Sequence, residues 1–350
     1  MTAVSVREAF GAEFVGADGF LNSPTFGLPP QFMVQALQDC ITQWQTGTMH
    51  VPSFDDDVRA GREGYAALAG VPVDSVTMGG TVAALLGLVA AAVPDGARVA
   101  TLAGEFTSIT FPFAAQAGRG VTITELSADE LVSAAADYDV VTASLVQSAN
   151  GAVLDTDALR KTVAGTDVLT VIDITQAIGW KRVDLGWVDV TVGSVYKWLM
   201  APRGTAWMSL SDRVSSIMTP HAANWYAGED PWQTIYGLPL RLTAGARRFD
   251  ASPSWFSVLG AGLTMSWLAS LDRAAVEAHS LALANRVRTE LQLPQQDSAI
   301  VSIPIANAAD SLARAGIRAA VRAGAVRVGF HLYNTDDDVD RLLDALGASG

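Results

Sequence analysis

Between about residues 75 and 215 the chain alternates short, nearly unbroken apolar runs with segments of helical spacing. The apolar runs are RVATLA (98–103), VTITEL (121–126), DVVTASLV (139–146), VLTVIDI (168–174), VDVTVGSV (188–195) and TAWMSL (205–210). They are rich in β-branched residues and show little polar alternation, which predicts strands covered on both faces, as in a mostly parallel sheet. Between them, ADELVSAAAD and TDALRKTVAG carry helical spacing with Asp or Thr near their starts. The run VAALLGLVAAAV (82–93) is too short to span a bilayer and predicts a buried helix. Past residue 250 the pattern changes to one long helix (VLGAGLTMSWLASLDRAAVEAHSLALANRVRTEL), a short β-rich piece (AIVSIPI) and a final helix. The expected fold class is α/β. A large domain (46–245) holds a mostly parallel sheet flanked by helices, and a smaller α+β C-terminal domain (246–350) is completed by the N-terminal segment (1–45).

At 350 residues, half of them apolar, the chain can bury a substantial core. Its net charge of −13 argues against a nucleic-acid partner, which requires a basic face. The lone cysteine, Cys40, lies in a helical pattern (VQALQDCITQW) and excludes an internal disulfide. A reducing, cytoplasmic setting is expected. The opening MTAVSVREAFGAEF has no charged-then-apolar export pattern, and no membrane association is expected.

In parallel α/β sheets ligands lie beyond the carboxyl ends of the strands, so polar residues there are the candidates. In chain order these are Gly79-Gly80-Thr81, Glu105-Phe106, Gln147-Ser148, Asp173 with Gln176, and Ser194-Tyr196-Lys197. The set holds a phosphate-type helix start, an aromatic, a carboxylate and a lysine, the inventory needed to hold an aromatic aldehyde phosphate as a Schiff base. Gly80 and Thr81 open a helix whose free N–H groups and dipole suit a phosphate; taken alone, an ordinary loop with a Thr cap is the simpler account. Asp173 ends an apolar strand and could keep a pyridine nitrogen protonated, or serve as a cap or ion-pair partner. Lys197 is one of only three lysines. In an apolar setting its pKa would fall, making it an imine-forming nucleophile and proton shuttle; a solvated loop lysine is the bland alternative. Arg327 lies in a β-like run, where its fork suits a substrate carboxylate or an exposed ion pair. No GxGxxG or P-loop pattern is present, which argues against a dinucleotide or ATP site.

Taken together, FLNSPTFGLPP (20–30), VIDITQAIG, SVYKWLMAPRG and RVGFHLYNT resemble pyridoxal-phosphate enzymes of fold type I. The similarity is to the class V aminotransferase group, which includes cysteine desulfurases, kynureninases and isopenicillin N epimerase-like proteins. The resemblance implies pyridoxal 5'-phosphate held by Lys197, with Asp173 partnering the pyridine nitrogen. Gln176 and Ser148 would lie near the phenolic oxygen, and Phe106 would stack on the ring. Gly80, Thr81, Ser194 and Tyr196 would form the phosphate cup, Tyr196 standing where a histidine often precedes the lysine. Ser252, in RRFDASPSW, would reach the phosphate of a partner subunit in a homodimer, although that segment is one residue shorter here. Arg327 would bind the substrate α-carboxylate, and Trp225 and Tyr226, in NWYAGEDPW, are implied substrate contacts. The sulfur-accepting cysteine loop of desulfurases is missing, because AAVRAGAVRVGF runs almost directly from Arg322 to Arg327. That argues against a persulfide mechanism and favours transamination or β-elimination, with epimerisation and a non-catalytic cofactor-binding protein as the other readings.

Overall fold

The computed structural model describes residues 5–347. Among these described residues twelve strands form three sheets. A hairpin pairs β1 (Val6–Ala9) with β2 (Ala12–Val15). The central sheet contains β3 (Val76–Gly79), β4 (Arg98–Leu102), β5 (Thr122–Leu126), β6 (Val140–Ser144), β7 (Leu169–Asp173), β8 (Val190–Ser194) and β9 (Ala206–Leu210). Three further strands, β10 (Ile300–Ile303), β11 (Ala320–Arg322) and β12 (Ala325–Gly329), make a small antiparallel sheet.

The six expected strands of the central sheet are all present, each trimmed at one or both ends. β3 escaped notice because VTMG is only four residues long and carries no polar contrast. The spatial order is β3-β9-β8-β7-β6-β4-β5, with every pairing parallel except those of β9. β9 runs against both neighbours, so its amino end lies at the same edge as the carboxyl ends of the other strands. All residues of β3, β6, β7, β8 and β9 are buried, as continuous apolar runs require when helices cover both faces.

The long C-terminal helix is instead two helices, Trp255–Ser270 and Arg273–Glu290. Leu271 adopts an extended backbone, and the Asp272 carboxylate caps the second helix by accepting from the N–H groups of Ala274 and Ala275. The acid inside an otherwise periodic run was a start signal rather than a surface position. Helix Trp255–Ser270 lies along helix Phe54–Ala69, and glycines permit the approach. A Cβ on Gly64 would come within 2.8 Å of the Met265 Cβ, and one on Gly262 within 2.7 Å of the Asp57 carbonyl oxygen.

The N-terminal segment packs onto the C-terminal sheet. Phe20 bridges to Arg318 and Asn22 to Gly329, while Arg7 pairs with the buried Asp338 at 2.6 Å. Among the described residues no helix is long and apolar enough to cross a membrane.

One buried ion pair ties the sheet to the segment carrying Ser252. Arg62 contacts Asp250 at 2.6 Å. Asp250 also accepts from Thr77 Oγ1 at 3.0 Å and from the Met78 N–H at 2.9 Å, and the Ala251 N–H donates to the Met78 carbonyl at 2.9 Å. Arg62→Met should therefore cost about 3–5 kcal/mol by leaving the buried carboxylate with only the more distant Arg247, 4.0 Å away, as a cationic partner. Urea unfolding measures this, and a loss below about 1 kcal/mol would show that the pair contributes no more than a surface one.

Candidate active site

Strand direction assembles the site. Across the sheet edge, in spatial order, lie the end of β3 (Gly80), the start of β9 (Arg203-Gly204-Thr205), and the ends of β8 (Ser194), β7 (Asp173), β6 (Ser144) and β4 (Glu105-Phe106). A cavity opens above this edge, lined by Gly80, Thr81, Phe106, Ser148, Asp173, Gln176, Ser194, Tyr196 and Lys197 from the sequence reading. Thr107, Ser108, Ser144, Thr175, Arg203 and Thr205 line it as well.

Lys197 is 7% exposed, its ammonium 5.4 Å from the Phe106 ring centroid and 5.8 Å from that of Tyr196. Burial pulls its pKa down to about 8; Asp173 opposes that fall, and Arg327, Arg322 and Arg203 add to it. The solvated-lysine alternative is excluded by this burial. Asp173 is equally buried, and burial pushes its carboxyl pKa up, against hydrogen bonds from Thr175 and the charge of Lys197. Among the described residues its hydrogen bonds come from Thr175 alone, the N–H at 2.7 Å, so the Asp173 carboxylate keeps acceptor capacity at the cavity it lines. Thr175 Oγ1 in turn accepts from the Ser194 N–H at 3.0 Å, joining β7 to β8.

The helix Val82–Ala92 begins at the cavity's β3 end. Thr81 caps it, its hydroxyl oxygen accepting from the Ala84 N–H at 3.1 Å. Both readings of Thr81 are compatible, because a capping hydroxyl keeps its own hydrogen to donate. A Cβ on Gly80 would meet only the Gly204 carbonyl, at 3.9 Å, leaving the approach to the helix start open.

Gln176 is held on both sides. Its amide N–H groups donate to Ser148 Oγ (2.9 Å) and the Pro24 carbonyl (3.0 Å), and its carbonyl accepts from the Trp198 indole (2.8 Å). Arg327 lies behind this group rather than on the cavity wall: it is 1% exposed and donates to the Ser148 carbonyl, to Ser148 Oγ and to Thr25 Oγ1. No carboxylate pairs with it among the described residues. The exposed ion pair is thus excluded, and a substrate carboxylate would meet Arg327 only beside Ser148.

Besides Arg327, three expected residues lie outside the cavity of their own chain. Ser252 is exposed and outside its lining. Tyr226 is buried and donates to Asp55 at 3.0 Å, and Trp225 packs against Tyr226 and Trp232. Both belong to a separate cluster built on the loop after residue 224, whose polar anchor, Asp55, comes from a distant helix. Cys40 is buried in helix Gln31–Thr46, does not line the cavity, and has its thiol pKa raised by burial and then by Asp57. In place of a cysteine loop, a two-residue turn joins β11 to β12, with Ala323 (φ 48°) and Gly324 (φ 80°) left-handed.

The sequence reading passed over Thr175, Ser144 and Arg203. Thr175 was legible between Asp173 and Gln176. Ser144 was not, and Glu105, though among the strand-end candidates, could not be paired with it, because only the sheet joins them: the Glu105 carboxylate accepts from the Ser144 N–H (2.7 Å), Ser144 Oγ (2.8 Å) and the Phe106 N–H (3.0 Å).

The family model "Aminotransferase class-V" matches residues 54–312. The chain belongs to that family. Among curated relatives, an isopenicillin N epimerase from Amycolatopsis lactamdurans is 28% identical over 236 residues, 58% of each chain. A probable cysteine desulfurase from Pseudomonas aeruginosa is 32% identical over 143 residues, covering 33% of this chain and 34% of the relative. The chain thus matches little more than half the length of the first of these relatives and a third of the second. Among solved structures, a cystine C-S lyase in complex with cysteine persulfide superposes with a TM-score of 0.81 at 17% identity, covering 95% of this chain and 97% of the other. A cysteine desulfurase from Escherichia coli gives 0.79 at 18% identity, covering 95% and 94%. The family is one of pyridoxal-phosphate enzymes that includes desulfurases and epimerases, and the cofactor is pyridoxal 5'-phosphate. The cavity fits it: a buried amine of lowered pKa, a carboxylate with unused acceptor capacity and an open helix start match an aldehyde, a ring nitrogen and a phosphate.

Only the free amine attacks an aldehyde, so cofactor uptake by stripped protein should quicken about tenfold per pH unit up to about 8 and then level. Stopped-flow absorbance between pH 6 and 10 measures this. A rate still climbing at pH 10 would mean an ordinary lysine.

Proposed function

We propose that this protein is an aminotransferase that converts an amino acid to its keto acid. The observation that carries the proposal is the buried pair of Lys197, near pKa 8, and Asp173 in one cavity that, among the described residues, no cysteine lines. In this reading Lys197 supplies the amine for the cofactor's aldehyde carbon, and Asp173 holds the proton on the ring nitrogen. Gln176 and Ser148 lie near the phenolic oxygen, toward which the Ser148 hydroxyl can donate while Gln176 holds that hydroxyl in place; Phe106 covers the ring, and Gly80, Thr81, Ser194 and Tyr196 take the phosphate. Bound pyridoxal 5'-phosphate supplies an electron sink for the charge left when a bond at the substrate Cα breaks.

The protein's own part is to orient and to move protons. Arg327, beside Ser148, fixes the α-carboxylate, which sets the direction of the Cα–H bond. Lys197 Nζ is the base for that proton; no histidine lines the cavity among the described residues. A pKa of about 8 leaves an appreciable neutral fraction near neutral pH, and the conjugate acid is strong enough to return the proton. Where that proton returns decides the product. Two further readings share the same first step: the relatives named as epimerases support return to Cα, and the similarity to a C-S lyase supports loss of a β-substituent.

A homodimer is part of the same proposal. Ser252 is exposed and outside its own cavity, and Tyr236 and Leu238 on a nearby loop are 87% and 90% exposed, apolar surface suited to a second copy. Sedimentation showing monomers alone at micromolar concentration would refute it.

The decisive experiment is a single turnover of loaded protein across a panel of amino acids. Transamination predicts one keto acid per site and no ammonia. Pyruvate with ammonia would replace it by the lyase, and Cα–deuterium exchange without keto acid by the epimerase. Asp173→Asn should slow the turnover by roughly 100-fold or more.

A further inference from the structure

The phosphate assigned above is a dianion, yet the residues matched to its cup are neutral: two glycine and threonine positions, a serine and a tyrosine. With Lys197 committed to the aldehyde, that end of the cavity needs another cation, and only the antiparallel course of β9 brings one there. Because β9 runs against β3 and β8, the turn Arg203-Gly204-Thr205 enters the sheet between Gly80 and Ser194. The placement has two independent markers: Thr205 Oγ1 donates to the Gly79 carbonyl at 3.4 Å, and the Gly204 carbonyl faces Gly80. Asp173 is two strands further along, about 10 Å away at the usual strand spacing.

Arg203 lines the cavity and is pre-oriented, its guanidinium stacked over the Tyr196 ring at 5.4 Å. It has no carboxylate partner, and its side chain makes no hydrogen bond, among the described residues. Beside it the first N–H groups of helix Val82–Ala92 lack intrahelical partners. A guanidinium fork next to those N–H groups suits a phosphate dianion, and the aromatic shelf under it limits the entropy lost on binding.

We propose that Arg203, held on Tyr196, is the counter-charge of the cofactor phosphate. Tyr196 then acts as its shelf rather than as the principal phosphate donor. This rests on the cofactor reading of the site and extends it to a residue outside that assignment.

The test compares pyridoxal 5'-phosphate with pyridoxal, which has the aldehyde and ring but no phosphate. Both are titrated into the stripped full-length protein, and the absorbance change gives Kd. Arg203→Ala and Arg203→Gln should weaken the phosphorylated cofactor by about 10- to 100-fold while changing pyridoxal by less than about threefold. Arg203→Lys should restore part of the difference. Arg203 is exposed, so its variants should keep the wild-type Tm. Equal losses for both aldehydes would overturn the proposal. So would an unchanged Kd for the phosphate form with a raised KM for amino acids bearing a second acidic group, which would assign Arg203 to substrate. Failure of the unsubstituted protein to bind pyridoxal 5'-phosphate would instead overturn the cofactor reading itself.

Discussion

A lysine and an aspartate, each 7% exposed, share one cavity at the sheet edge, and most of the surrounding architecture serves that arrangement. Burying either charge alone would be costly. Desolvation pushes the Lys197 ammonium and the Asp173 carboxylate toward their neutral forms, while their mutual attraction opposes both shifts. The result is an amine near pKa 8 beside an acceptor with unused capacity, a pair that stays reactive because neither member is fully satisfied.

Holding that pair requires a rigid frame, and the N-terminal segment supplies much of it. The stretch around FLNSPTFGLPP passes beneath the lysine turn. The Gly27 N–H donates to the Tyr196 carbonyl at 2.9 Å, and Pro24 and Thr25 accept from Gln176 and Arg327. A Cβ on Gly27 would collide with the Lys197 carbonyl, so only glycine permits this contact. Trp198, next to the lysine, is locked between Gln176 and His331; the His331 ring contacts its carbonyl at 2.8 Å and titrates far down, near 3, chiefly through burial. One hydrogen-bonded chain therefore runs from Arg327 through Ser148 and Gln176 to the residue after Lys197. The group suited to a substrate carboxylate is mechanically tied to the group suited to its α-proton.

Much of this was legible in the chain itself. Continuous apolar runs identified six strands of the central sheet, since strands covered on both faces have no polar face to confuse the pattern. Polar residues at the ends of those runs identified Asp173, Gln176, Ser194 and Lys197. What the chain left unread has equally physical causes. Trp225 and Tyr226 were placed by their neighbourhood in sequence, whereas the contact that holds the tyrosine hydroxyl comes from Asp55, on a helix some 170 positions earlier. The helix break at Leu271–Asp272 lay hidden because apolar spacing continues across it, and the cap that ends the pattern is a single side chain.

The sequence by itself determined which residue types were available and how they were spaced along each strand and helix. Local periodicity and capping depend only on near neighbours. Strand order and direction depend on hydrogen bonds between distant segments, so they appear only in the folded sheet. That order brought Arg203 to the Gly80 end of the cavity, joined Glu105 to Ser144, and set Arg327 behind Ser148 rather than on the cavity wall. Chemistry that lies within one segment was open to reading, whereas chemistry created where segments meet was decided by tertiary structure alone.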